Sequence, residues 1–203
     1  MNVLREKHTK FLLVLLLASV LYGCAVNLKE AGIDRFVGQT LFNRVNFRTF
    51  GENRIYYTNR IYGGILIPAG TNCTIKSITS TKIWFITSGD EYVLIDWRGK
   101  TESENIKALF DKFFVEDREG IGLDKIYPDF REKVLSGIAE VGMTKEEVLV
   151  CAGYPAYIGY KDRTLDDDRE RILAQNDWYY LKTRRRKVLY RFSGEKLNRI
   201  IGQ

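Results

Sequence analysis

Histidine is nearly missing from this chain: it occurs once in 203 residues, at His8, inside an N-terminal stretch with the character of a removable leader. Beyond that leader there is no imidazole, which excludes Ser-His-Asp and Cys-His catalysis and any His-ligated zinc or iron. Cysteine is almost as scarce. Cys24, Cys73 and Cys151 are the three present, and none forms a C-x-x-C pair, so neither a zinc knuckle nor a thioredoxin-type redox site is supported. The apolar run from Phe11 to Leu21 is too short to cross a bilayer as a helix. No metal or cofactor is expected.

What is present at the N-terminus is a secretory signal. Arg5, Lys7 and Lys10 make a basic region, the apolar run follows, and Leu21-Tyr22-Gly23-Cys24 closes it. A Leu-x-Gly-Cys ending resembles the bacterial lipobox, which implies cleavage before Cys24 and a diacylglycerol on its sulfur. One acyl chain holds a protein to a membrane only marginally, at about 0.8 kcal/mol per buried methylene, whereas two or more anchor it stably. Ala25 stands where an Asp would resemble an inner-membrane retention signal, so the outer membrane, periplasmic face, is the expected location. Residues 1–23 read as the signal and residues 24–36 as a tether.

The fold class expected is α+β. Over 37–120 the pattern is that of a small antiparallel β domain, either an SH3-like barrel or a curved sheet. "RIYYTNRIYGGILIPAG" gives an aromatic strand, a Gly-Gly break and a Pro68-Ala69-Gly70 turn. "TNCTIKSI" alternates with Cys73, Ile75 and Ile78 inward, which requires a slip near Ser77. "TKIWFIT" and "EYVLIDW" flank a hairpin turn at Ser88-Gly89-Asp90. Thr101 and Glu104 fit a capping box for a helix whose stripe of Ile106, Leu109, Phe110, Phe113 and Phe114 covers the sheet. The segment Tyr56-Tyr57-Thr58-Asn59 with Tyr62 suits core and hairpin packing more than an aromatic binding face.

Residues 121–203 form the second unit. A helix is predicted near Asp129 to Ser136, with Phe130, Val134 and Leu135 apolar and Gly137 as its stop. The stretch "VGMTKEEVLVCAGYP" (141–155) offers Cys151 as a nucleophile and Glu146 or Glu147 as a base, but each polar residue has a structural use. Thr144 suits the N-cap and Glu147 the third helical position, a capping box. Met143 and Val148 can form a hydrophobic staple, and Glu146 and Glu147 meet the helix dipole. Gly153 fits the C-terminal position and Pro155 ends the helix. Nothing here would lower the Cys151 pKa, and two nearby carboxylates would raise it.

Together with Trp178 and Tyr180 of "DWYYL", and Phe192, Gly194 and Leu197 of "KVLYRFSGEKLNRII", the motif Gly142-Met143-Thr144-Lys145-Glu146-Glu147-Val148-Leu149 and Gly153-x-Pro155 resembles the SmpA/OmlA (BamE-like) family of small outer-membrane lipoprotein domains. The resemblance covers about residues 122–203. It implies two helices on a three- or four-stranded antiparallel sheet, no enzymatic activity, and a role in stabilising outer-membrane assembly through envelope proteins and anionic phospholipid.

The charged stretches carry less. "KDRTLDDDRERI" (161–172) lacks the alternating ligands and the Gly of a calcium loop. It reads as a solvated insertion with a helical turn from Asp168 to Ala174. Lys182, Arg184, Arg185, Arg186 and Lys187 cluster at the hairpin between the last strands, where Arg forks suit phosphate headgroups and an ordinary soluble tip suits them too. The excess of 32 basic over 26 acidic residues fits an anionic lipid or acidic protein surface better than nucleic acid. Cys73 and Cys151 are either buried free thiols or, in an oxidising periplasm, a disulfide.

The function expected is therefore a membrane-anchored periplasmic lipoprotein acting as a non-catalytic binding or scaffold module. The competing classes are a cell-wall hydrolase using carboxylates alone, which needs two converging acids, and a periplasmic inhibitor or ligand-binding module. Replacing Cys24 with Ser should leave a larger, unlipidated precursor on a gel of membrane fractions; unchanged processing would refute the anchor.

Overall fold

The structure is a computed structural model that describes residues 32–57, 61, 63–95, 103–159, 162–163, 168–182 and 186–202. Thr101 and its capping box, Trp97, Tyr62 and Cys24 lie outside these residues. The fold is mixed α+β. Its first sheet is curled and has six strands, ordered β3-β7-β6-β5-β1-β8. These are β1 (Thr40–Asn43), β3 (Arg54–Tyr56), β5 (Asn72–Ile78), β6 (Lys82–Thr87), β7 (Asp90–Ile95) and β8 (Phe114–Val115). A separate ribbon pairs β2 (Phe47–Arg48) with β4 (Leu66–Ile67).

The alternation in "TNCTIKSI" does what its spacing requires. Cys73, Ile75 and Ile78 are buried, and the register against β6 shifts between Ile75 and Ser77, so the slip keeps the apolar positions on one face. β6 and β7 join through Ser88 and Gly89 at φ 53° and 89°, two left-handed residues that match the strand twist. At Gly64 the Thr49 backbone carbonyl occupies the place a Cβ would take, so this position of the Gly-Gly break has no room for a side chain. The sheet is not wholly antiparallel as expected: β3 runs parallel to β7, Arg54 opposite Val93. The long excursion through β4, β5 and β6 separates them, so no tight turn dictates their direction.

Helix α1 (Ser103–Phe113) lays Ile106, Leu109, Phe110 and Phe113 onto the sheet, and Phe114 continues the stripe from β8. Aromatic rings run in contact from Phe36 to Phe110 (4.8 Å), Phe114 (5.4 Å), Phe85 (5.5 Å), Phe47 (5.8 Å), Phe113 (5.7 Å) and Tyr154 (5.4 Å). Each such pair adds about 0.5–1.5 kcal/mol beyond burial. The chain starts earlier than the expected tether allows. Ile33 is buried, Phe36 stacks on Phe110, and the Gly38 amide donates to Ile75 (2.8 Å). The tether boundary at residue 36 is corrected to no later than 32, because these apolar side chains complete the core.

The second sheet is antiparallel, ordered β10-β9-β11-β12-β13. It comprises β9 (Tyr157–Ile158), β10 (Asp162–Arg163), β11 (Asp177–Leu181), β12 (Lys187–Ser193) and β13 (Lys196–Ile201). It has five strands where three or four were expected; the two additions are two-residue strands at one edge. Helices α2 (Pro128–Leu135) and α3 (Lys145–Ala152) accompany it, with a short α4 (Arg169–Leu173) capped by Asp168, whose carboxylate accepts from the Arg171 amide at 2.7 Å. Among the described residues no helix is long and apolar enough to cross a membrane.

Both halves contribute to one hydrophobic cluster, and two buried asparagines hold it in place. Asn43 closes the Pro-Ala-Gly turn: its Nδ2 donates to Val45 (2.9 Å) and Pro68 (3.0 Å), and its Oδ1 accepts from the Thr71 amide (2.8 Å). Asn46 reaches across the seam. Its Nδ2 donates to the carbonyls of Val134 (2.6 Å) and Cys151 (2.9 Å), its amide donates to Val150 (2.9 Å), and its Oδ1 accepts from Ala69 (2.7 Å). One side chain thereby bonds carbonyls at the ends of both α2 and α3. Asn46→Ala should remove about 3 kcal/mol or more of stability, since each buried group left unpaired costs about 1–3 kcal/mol. Urea unfolding would read this as a lowered midpoint; a midpoint close to wild type would contradict the keystone role.

Candidate binding face of the C-terminal sheet

The "VGMTKEEVLVCAGYP" stretch folds as a helix with both ends specified. The Thr144 hydroxyl accepts from the Glu147 amide (3.2 Å) while Glu147 Oε2 accepts from the Thr144 amide (2.7 Å), completing the capping box. Met143 and Val148 are both fully buried, as a staple needs. Glu147 Oε1 accepts from the Tyr127 amide (2.8 Å), so both oxygens of this buried carboxylate are hydrogen-bonded to backbone amides. Gly153 has φ 73° as expected of a terminal Gly, but ψ −168° places it in the extended mirror region rather than the left-handed helical one. Only glycine adopts that geometry at low cost, and it turns the chain out toward Pro155.

Lys145 is buried although charged. Its ammonium donates to the Leu173 carbonyl (2.7 Å) in the last turn of α4, lies 3.6 Å from Glu195 and sits over the Phe192 ring. The segment before α3 also bonds to the final hairpin: Gly142 donates to Leu197 (2.8 Å), Leu197 to Met143 (2.7 Å) and Lys145 to Glu195 (2.9 Å). The helix motif and the Phe-x-Gly-x-x-Leu strand are thus one interlocked unit. Trp178 lies inside it, its indole N–H shared between Ile172 and Gln175 (3.1 Å each), with Phe192 at 4.6 Å. The Tyr180 hydroxyl donates to Gly153 (2.9 Å), and burial first, then Tyr190 and Cys151, pushes its pKa well above the ordinary value. A bulge shifts the register of β12 against β13 between Arg191 and Phe192.

Of the two alternatives for Cys73 and Cys151, the structure has the free, buried thiols. Cys73 occupies an inward position on β5 and turns its Sγ to Thr71 (3.5 Å), whereas Cys151 on α3 turns its Sγ to Lys133 on α2 (3.9 Å). Burial pushes both up to about 12; the Asn43 backbone opposes this at Cys73 and the Arg48 charge at Cys151. A nucleophilic thiolate at neutral pH is the reverse of this.

The outward side of the C-terminal sheet was not legible from the inward motif. Pairing register aligns Tyr157, Tyr179, Leu189 and Ile201 in one row across β9, β11, β12 and β13. All four are partly exposed, Ile201 by 39%. Cations border the row. Lys187 stands beside it with its ammonium 3.8 Å from the Tyr157 ring centroid, opposite Leu181. On the other side Arg191 lies opposite Arg199 and forks onto Asp177 (2.8 and 2.9 Å). Two arginines paired directly across an antiparallel ladder repel, and the Asp177 carboxylate on Arg191 offsets this. The alternation of "DWYYL" and "KVLYRF" carried the signal for this row in the positions between the buried ones.

Of the basic hairpin predicted from sequence, Lys182 and Arg186 close the turn, the Lys182 amide donating to Arg186 (2.9 Å), and Lys187 begins β12. Arg184 and Arg185 lie outside the described residues. Hairpin and row therefore adjoin on one sheet. In comparisons with known proteins, no family model, curated protein or solved structure matches this chain.

The thiols give a pH-dependent expectation. Their folded pKa lies above the ordinary 9.0, so their contribution to stability is full below pH 9 and is lost as pH rises toward 12. At pH 8 a thiol reagent followed by mass spectrometry should label Cys73 and Cys151 only in denaturant, and rapid labelling of the native protein would contradict their burial.

Proposed function

We propose that the protein is a lipid-anchored, non-catalytic scaffold of the SmpA/OmlA-like kind. It acts at the periplasmic face of the outer membrane by holding the outward face of its C-terminal sheet against an anionic surface. The observation that carries the reading is the Tyr157-Tyr179-Leu189-Ile201 row with Lys187, Arg191 and Arg199 at its borders. Tyrosine rings suit the level of lipid headgroups, and cations along the same face suit their phosphates. The lipobox-like Cys24 would supply stable attachment, and the sheet would supply orientation and partner contact. The interlock between the Gly142–Lys145 segment and the last hairpin supports the family reading, because it gives the separate motif pieces one structural purpose. The commitment of Glu147 to capping supports a binding role over a carboxylate-only hydrolase.

The reading is tested with the mature chain carrying Cys24→Ser, so that the acyl anchor does not mask weaker contacts. Sedimentation with anionic vesicles at low salt should capture the protein, and neutral vesicles should not. Joint replacement of Arg184, Arg185 and Arg186 by Ala should weaken capture by about 1 kcal/mol per cation removed, with unfolding curves unchanged. Equal capture by the triple variant would leave the hairpin as a solvated tip.

A further inference from the structure

The seam between the two halves holds a second basic feature, a small cleft that opens to solvent. Its enclosed space takes little more than a water-sized group, so a larger occupant sits at its mouth. Arg44 and Val45 line it from the link between β1 and β2, Gly120 and Ile121 from the loop after β8, and Tyr154 and Arg169 from the C-terminal half. Its exposed lining is mainly polar, which disfavours an apolar ligand.

Arg44 and Tyr154 are held by stem and ring and open at their tips, while Arg169 is held at its tip and keeps part of it free. Arg44 is pinned by its amide on the Phe113 carbonyl (2.9 Å) and its Nε on the Phe114 carbonyl (3.2 Å). Among the described residues its two terminal nitrogens have no hydrogen-bond partner. Arg169 is oriented by a two-pronged pair with Glu146, one prong at 2.7 Å, which leaves further N–H groups of the guanidinium uncommitted. Tyr154 is 4% exposed, its ring fixed against Phe113 at 5.4 Å with the Lys112 ammonium 5.6 Å from its centroid. Its hydroxyl makes no hydrogen bond to another described residue. Burial raises the phenol pKa, while Arg169 and then Arg44 lower it, so both guanidinium charges reach that hydroxyl; Glu146 opposes them. Two guanidinium groups thus line one cleft, with Glu146 paired to one of them, an arrangement that favours an anion.

We propose that this cleft binds a small oxyanion, a phosphate group, between the terminal nitrogens of Arg44 and Arg169 with the Tyr154 hydroxyl donating to it. Arginine suits this because its planar fork matches two phosphate oxygens at once. The ligand bridges a guanidinium carried by the first half and one carried by the second, so occupancy ties the halves together across the seam. The phosphate can be free or belong to a headgroup.

Titration of the Cys24→Ser mature chain with inorganic phosphate, at constant ionic strength against chloride, should show one saturable site by calorimetry and a raised thermal midpoint. Arg44→Gln should weaken binding at least about tenfold, as loss of a charge-assisted bond implies, and Arg44→Lys should fall between it and wild type. Tyr154→Phe removes only the hydroxyl and serves if the Arg44 variants fold poorly; it should weaken binding by a smaller factor. The variant lacking Arg184, Arg185 and Arg186 should bind phosphate as wild type does, which separates this site from the sheet face. Tighter binding of glycerol 3-phosphate than of inorganic phosphate assigns the cleft to a headgroup, and equal binding assigns it to the free anion. No saturable phosphate binding by wild type, or equal binding by Arg44→Gln and Tyr154→Phe, overturns the proposal.

Discussion

The arrangement of the two halves turns on the side chain of Asn46. Two helices end beside it with carbonyls turned toward its amide, and a turn from the first half presents a backbone amide to its oxygen. A buried carboxamide offers two donors and an acceptor, and here all three are used. No apolar residue of that size could meet these groups, and a charged one would add the cost of burying its charge. The aromatic chain from Phe36 to Tyr154 supplies the greater share of burial, but rings tolerate some sliding. The asparagine fixes where α2 and α3 stop relative to the ribbon formed by β2 and β4.

With that junction set, the C-terminal sheet becomes a two-sided plate. Its inner side, with Trp178, Tyr180 and Phe192, is sealed by the helices and by the bonds between the Gly142–Lys145 segment and the last hairpin. Its outer side keeps an apolar row with cations along both borders. Antiparallel sheets commonly divide this way, one face packed and one solvated. What distinguishes this plate is that the solvated face is neither uniformly polar nor electrically balanced. The buried Lys145 belongs to the inner side, where it steadies the end of α4 rather than meeting a ligand.

Local rules made much of this readable from the sequence. The capping box at Thr144 and Glu147, the slip near Ser77, the Ser88-Gly89 turn and the turn of helix after Asp168 each depend on residues within a few positions of one another. What escaped depends on distance along the chain. Asn46 meets partners 88 and 105 positions away, and no periodicity announces such a contact. The parallel pairing of β3, the short edge strands β9 and β10, and the packing of Ile33 and Phe36 are likewise decided by tertiary contact. The candidate face was half visible: its basic hairpin stood out as a charge run, while the Tyr-Tyr-Leu-Ile row emerges only when strands from four segments are set in register. The Arg44 cleft was invisible for the same reason, being assembled from both halves.

The early start of the core has a mechanical consequence. On the proposed anchor at Cys24, the eight residues from Ala25 to Gly32 are all that separate the lipid from buried Ile33. Even fully extended, such a leash spans at most about 30 Å, roughly the diameter of a small domain. The folded body would be leashed to the bilayer like a buoy on a short line. A partner deep in the periplasm would have to come to it, and a sheet face with cations along its borders would spend its time within reach of headgroups.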